Sequence, residues 1–157
     1  MNKRPFLKYN MSMRLVIQRV ESASVEVAKT TKLVGEIGKG LLVLVGIGEK
    51  DSEADAAVLA EKLAKMRIMA DQQDKMNLSI QGVAGEVLAV SQFTLYADTS
   101  GGNRPSFIKA ARPEYAKKIY DHFIAKLRSL NVKVETGSFG EYMKIQAKLD
   151  GPVTIIV

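Results

Sequence analysis

Cysteine and tryptophan are absent from the 157 residues, and histidine occurs once. Without Cys there is no disulfide scaffold, no thiol nucleophile, no Cys-type zinc site and no Fe–S cluster. The compartment stays open on that ground, since secreted chains can also lack Cys. One His excludes any site that needs two imidazoles, the HExxH zincins included. No apolar run approaches the ~18 residues of a membrane span. Acidic residues are scattered, and no D-x-D pair or E-x-x-E couple converges on a predicted cleft. That argues against a metal hydrolase, and no metal and no cofactor is expected. If the chain is an enzyme, its chemistry runs on hydroxyls and backbone groups, with an already labile substrate.

What is present fits one soluble domain. The length lies within the ~100–200 residues of a single domain. The content of 46% hydrophobic and 25% charged residues is that of an ordinary globular protein. A chain this long buries roughly 70% of the surface its unfolded form exposes, so it needs no staple. The formal charge is +6, and half of it comes from Lys3, Arg4 and Lys8. Residues 1–12 are therefore set apart as a basic N-terminal extension, and 13–157 as the domain. The extension lacks the ~7–15-residue apolar stretch of a secretory signal. It reads either as a start-site extension, given Met11 and Met13, or as a basic arm for nucleic acid. The remaining charge permits an anionic partner without demanding one.

Alternation predicts strands at residues 14–20 and 24–28, the latter joined by Lys29-Thr30-Thr31-Lys32 to a strand at 33–37. Residues 41–45 are continuously apolar, which suits a strand buried on both faces. Ser52 with Asp55 three residues on is close to a capping box. Ala56, Leu59, Leu63 and Met66 follow at helical spacing. A short strand is expected at 67–70 and a long one at 87–96. Pro113 opens a second helix running to about Leu130, with Tyr115, Ile119, Phe123, Leu127 and Leu130 as its stripe. Strands at 132–135, 142–149 and 153–157 complete the pattern. About eight strands, often consecutive, and two helices predict an α+β fold, a curved antiparallel or mixed sheet with packed helices.

Several motifs fail on inspection. Neither Gly35-Glu-Ile-Gly38-Lys-Gly40 nor Gly46-Ile-Gly48 completes G-x-G-x-x-G between a strand and a helix, and Lys39 is not followed by Ser or Thr. They read as turn glycines. His122 lies mid-helix with no Asp or Ser at useful spacing and reads as a structural residue. Lys117, Lys118, Lys126 and Arg128 read as a solvated face, with an RNA contact as the other reading.

Three segments remain. In Ser91-Gln92-Phe93-Thr94-Leu95-Tyr96, strand alternation would put Gln92 and Thr94 on one face. That is either a site or a polar edge. Gly102-Asn103-Arg104-Pro105-Ser106-Phe107 is a loop with a rigid Pro and one cation. Asp150-Gly151-Pro152-Val153-Thr154 precedes the last strand and reads as a turn, its peptide isomer unreadable from sequence.

Together these segments resemble the D-aminoacyl-tRNA deacylases, the family first named for D-tyrosyl-tRNA. The resemblance runs from about Met13 to Val157. It includes Met13-Arg-Leu-Val-Ile-Gln-Arg19-Val20, Gly35-Glu-Ile-Gly38-Lys-Gly40-Leu-Leu-Val-Leu, Lys75-Met-Asn-Leu78, Glu135-Thr-Gly137 and the three segments above. It implies a homodimer of barrel-like subunits capped by two or three helices. It also implies a cytoplasmic ester hydrolase that removes D-amino acids from tRNA and acts in translation quality control. Thr94, Gln92 and Phe93 would be catalytic, and Ser91 would line the pocket. Gly151 and Pro152, from the partner subunit, would exclude L-amino acids, with Arg19 orienting them. Glycine, having no side chain to clash, would also be removed from tRNA. Arg104 is the candidate RNA contact. The sequence departs from the family pattern in its longer first hairpin at Lys29–Lys32, in Leu149 where Asn commonly precedes Asp-Gly-Pro, and in residues 1–12. The competing reading is a non-catalytic tRNA-binding module on the same scaffold. A purely structural dimer is a third.

Overall fold

The computed structural model describes residues 13–157; the basic extension lies outside them. The chain orders as β1 (Arg14–Val27), β2 (Lys32–Ile37), β3 (Gly40–Gly46), α1 (Glu53–Lys65), β4 (Met69–Ala70), β5 (Met76–Leu78), β6 (Glu86–Ser91), a 3-10 turn (Phe93–Tyr96), α2 (Pro113–Ser129), β7 (Lys133–Thr136) and β8 (Met143–Ile156).

The two strands expected at 14–20 and 24–28 are one 14-residue strand. Polar Glu21 and Ser22 suggested a break, but they are exposed on a strand that continues through them. One edge of β1 is shared by β3, paired with Arg14 to Val20, and β2, paired with Ala23 to Val27. Its other edge carries β8 from Met143 to Ile156, with register shifts around Val20. β8 likewise unites the two C-terminal strands read from sequence. The Gly151–Pro152 peptide inside it is cis.

β3 is buried along nearly its whole length, as its apolar run requires. It pairs antiparallel with β1 and parallel with β6, and β6 pairs parallel with β7. The mixed sheet curls into a nearly closed, barrel-like form, because β2 also passes against β6 and β7. The approach is close: a Cβ at Gly35 would lie 2.7 Å from the Thr136 carbonyl. One apolar cluster, with Val20, Val25, Leu42, Leu88 and Val90, fills the inside of this curl. A larger one packs β1, β3 and β6 against α1 and α2 through Leu15, Val43, Leu59, Leu63, Phe123 and Leu127.

The Ser52 and Asp55 capping box is complete. Ser52 Oγ accepts the Asp55 N–H at 3.3 Å, and Asp55 Oδ2 accepts the Ser52 N–H at 2.8 Å. On α2 the buried stripe is Ala116, Ile119, Tyr120, Phe123, Ile124 and Leu127. It is rotated from the expected one, with Tyr115 at the exposed rim. The short strand after α1 is only Met69–Ala70. It pairs with β5, which at three residues is too short to be read as a strand from sequence.

Candidate active site

The long strand expected at 87–96 stops at Ser91, and this break builds the site. The Gln92 N–H still donates to Val45 O at 2.7 Å, the last bond to β3. The chain then winds into a 3-10 turn over Phe93–Tyr96, with Gln92 (φ −141°, ψ 87°) as its lead-in residue. Gln92 and Thr94 still meet, by this turn and not by strand alternation: Gln92 Nε2 donates to Thr94 Oγ1. Phe93 and Thr94 are exposed, while Ser91 and Gln92 are half-buried.

Ser91, Gln92 and Phe93 line a cleft of about 720 Å³. Its other walls include Phe107, Ala110, Ala111 and Pro113, the strip from Phe139 to Met143, and Ile145. The Phe93 and Phe107 rings meet edge to face at 5.2 Å. Among its lining residues Glu141 alone carries an ionisable carboxyl, and there is no His, Lys or Arg. His122 sits half-buried on α2 and does not line it. Among the described residues no three His, Cys, Asp or Glu side chains gather as a metal site.

Gly151 and Pro152 lie elsewhere in the same chain, exposed on β8 and not among the residues lining the cleft. Arg19 clamps the peptide before them. Its Nε lies 3.1 Å from Asp150 Oδ2 and donates to Asp150 O at 3.3 Å, and its Nη1 donates to Ile68 O at 3.0 Å. Gly151 has φ +122°, where L side chains rarely go, and a Cβ there would lie 2.9 Å from Val153 N and Cγ2.

Cations on α2 are engaged within the fold. Lys117 pairs with Asp121 at 2.6 Å, Lys118 with Glu53 at 3.5 Å and Lys126 with Glu61 at 3.1 Å. Arg128 donates to Val134 O at 2.9 Å. Their reading as a solvated structural face is the one these contacts favour. Arg104 is exposed on the segment that leads to Phe107, with no ion pair among the described residues.

Comparison with known proteins places this geometry. The sequence model of the family described as D-Tyr-tRNA(Tyr) deacylase matches residues 16–157. The chain belongs to the D-Tyr-tRNA(Tyr) deacylase family. A relative named D-aminoacyl-tRNA deacylase from Thermosipho melanesiensis is 51% identical over 146 residues, covering 92% of this chain and 96% of the relative. Another of the same name, from Bacillus licheniformis, is 54% identical over 145 residues, covering 92% and 97%. A solved structure described as "c-Myc DNA Unwinding Element Binding Protein" superposes with a TM-score of 0.85 at 34% identity, covering 92% of this chain and 97% of its own. A probable eukaryotic D-amino acid tRNA deacylase shares the fold, with a TM-score of 0.80 at 17% identity.

Within this deacylase fold, sequence reasoning missed part of the site. Phe139, Tyr142 and Ile145 reach the cleft from the return into β8, and residues this far apart in the chain leave no joint signal. Asp51 is the buried charged residue of the described core, at 2% exposure. Its Oδ2 accepts the Gly48 N–H at 2.5 Å and the Tyr96 hydroxyl at 3.3 Å. The Gly46-Ile-Gly48 segment thus spends an N–H on a carboxylate of its own turn, as turn glycines do. The acidic side chain just before the Ser52 cap was the available clue.

Proposed function

We propose that the chain works as a D-aminoacyl-tRNA deacylase, hydrolysing the ester between a D-amino acid and the tRNA 3′ ribose at the 91–94 segment. The observation that carries this is the exposed 3-10 turn at a cleft without a His, Lys or Arg, in a chain about half identical to curated deacylases along 92% of its length. An aminoacyl ester is activated relative to an amide, and the neighbouring ribose hydroxyl helps further. The protein then supplies positioning and oxyanion stabilisation, where one well-placed donor is worth ~3–4 kcal/mol. The Gln92 N–H is committed to Val45 O, so that role falls to Phe93 and Thr94, whose N–H groups open the turn and have no acceptor within it. Thr94, held by Gln92, positions the substrate while the ribose hydroxyl assists water. No His, Lys or Arg lines the cleft to activate Thr94 as a nucleophile.

Chirality needs a second element. Apolar pockets discriminate by only ~1–3 kcal/mol per methylene. A main-chain barrier that clashes with L-esters tolerates varied D-side chains. Gly151 and Pro152, held by Arg19, are assigned that role. Because they do not line the cleft of their own chain, a second copy must bring them. The exposed apolar residues Tyr142, Ile145, Leu149 and Ile156 along β8 and its lead-in support a homodimer. We place the protein in the cytoplasm, where its substrate is; no helix among the described residues is long and apolar enough to cross a membrane.

The test is deacylation of D-Tyr-tRNA, L-Tyr-tRNA and Gly-tRNA resolved on acid gels. Turnover of the D-ester and of glycyl-tRNA with the L-ester spared is expected. Tight tRNA binding without turnover overturns the reading in favour of a non-catalytic binding module.

A further inference from the structure

The 3-10 turn that carries Phe93 and Thr94 is short, exposed on its outer side and held within itself by few bonds. Leu95 N–H donates to Gln92 O at 3.3 Å and Ala97 N–H to Thr94 O at 3.0 Å. Its last residue, Tyr96, is nonetheless 4% exposed. Tyr96 is gripped from two sides. Its hydroxyl donates to the buried Asp51 carboxylate, which is itself fixed by the Gly48 N–H. Over its ring lies the Arg14 guanidinium, 4.6 Å from the centroid, and Arg14 Nη1 donates to Leu95 O at 2.6 Å. The Asp51 turn is anchored in turn to α2, because the Tyr115 hydroxyl donates to Asp51 O at 2.5 Å.

Burying a carboxylate is costly unless it is hydrogen-bonded. A fold that needed only a tight turn before α1 has the Ser52 and Asp55 capping box for it. Asp51 instead reaches from the α1 side of the molecule to the end of the catalytic turn. We propose that Asp51, Tyr96 and Arg14 are positioning residues of the deacylase, forming a brace that sets the pitch and height of the turn and so the aim of the Phe93 and Thr94 N–H groups. This inference rests on the function proposed above. Displacing donors by even ~1 Å costs about a hundredfold in rate, so loosening the turn lowers kcat without touching the surfaces that hold tRNA.

The variants are Tyr96→Phe, which keeps the ring and its packing, and Arg14→Ala, which changes an exposed side chain and leaves the core intact. For both, kcat on D-Tyr-tRNA falls about tenfold while KM stays within about twofold. By NMR hydrogen exchange, the Leu95 and Ala97 amides lose protection while those of Val87 to Ala89 in β6 keep theirs. A role confined to stability predicts a lower Tm with unchanged kcat per folded molecule, and that result overturns the proposal. Unchanged exchange at Leu95 and Ala97 overturns it independently of substrate. Absence of turnover by the unaltered chain sinks the functional reading alone, since the exchange experiment still decides the brace.

Discussion

Thr94 accepts a hydrogen bond from Gln92; Gln92 lines the cleft, Thr94 is not among its lining residues, and no His, Lys or Arg lines it. On the proposed reading, Thr94→Ala removes a positioning contact and not a nucleophile. Its turnover of D-Tyr-tRNA is expected to fall by about tenfold, the worth of one hydrogen bond, with activity still measurable. A covalent aminoacyl adduct on Thr94 in trapped enzyme would reverse that assignment. Gly151 is constrained differently. At φ +122°, with Val153 N and Cγ2 2.9 Å from any added Cβ, it admits no larger residue without displacing the segment that Arg19 holds. Gly151→Ala is expected to lower activity on D-Tyr-tRNA by more than about a hundredfold in a protein of unchanged circular dichroism. An unchanged rate removes the main-chain barrier from the mechanism.

Among the elements, α2 is tied to the sheet by a buried polar link as well as by its apolar stripe. The Tyr120 hydroxyl donates to Ala89 O at 2.9 Å on β6, two residues before Ser91. Burial pushes the Tyr120 phenol well above its ordinary 10.0; Asp121 adds to the rise and Arg128 opposes it. The protonated phenol is thus favoured by the folded state. Its contribution to stability is complete below pH 10.0 and is lost as pH rises from there through the folded-state value. Tyr120→Phe is expected to cost about 1 kcal/mol at neutral pH. It should also flatten the alkaline loss seen in denaturant titrations run at a series of pH values. An alkaline decline as steep as that of the unaltered chain contradicts the assignment.

Taken whole, one chain leaves the proposed site incomplete. Its cleft and its Gly151-Pro152 peptide lie apart in one chain, and the apolar residues of β8 are uncovered. Sedimentation is expected to give twice the chain mass; a monomer that still spares L-esters removes the partner's contribution. Affinity for tRNA should come from phosphate contacts. With the α2 cations engaged in the fold, Arg104 is the better candidate. Arg104→Ala should raise KM with kcat unchanged and lower the salt slope of binding by about one contact. A flat salt dependence in the unaltered protein counts against this.

Local signals were enough for much of this architecture. The apolar run at 41–45 and the capping box at Ser52 depend on neighbours within a few residues, so they appear in the chain as they appear in the fold. Ordered blocks such as Ser91 to Tyr96 and Asp150 to Thr154 pointed to the right family for the same reason. Strand continuity did not follow from local pattern: Glu21, Ser22, Gly151 and Pro152 look like breaks, yet β1 and β8 continue past them as irregularities, with pairing between the two strands resuming on either side. The turn at Phe93 hides in a β-like stretch, because the pairing with β3 that ends at Val45 and Ser91, and the Asp51 contact that holds Tyr96 beyond it, join segments distant in the chain. The walls of the cleft and the Arg19 clamp join residues as much as 131 positions apart. Such meetings are settled by sheet curvature and close packing, which act between segments and leave no periodicity in any one of them.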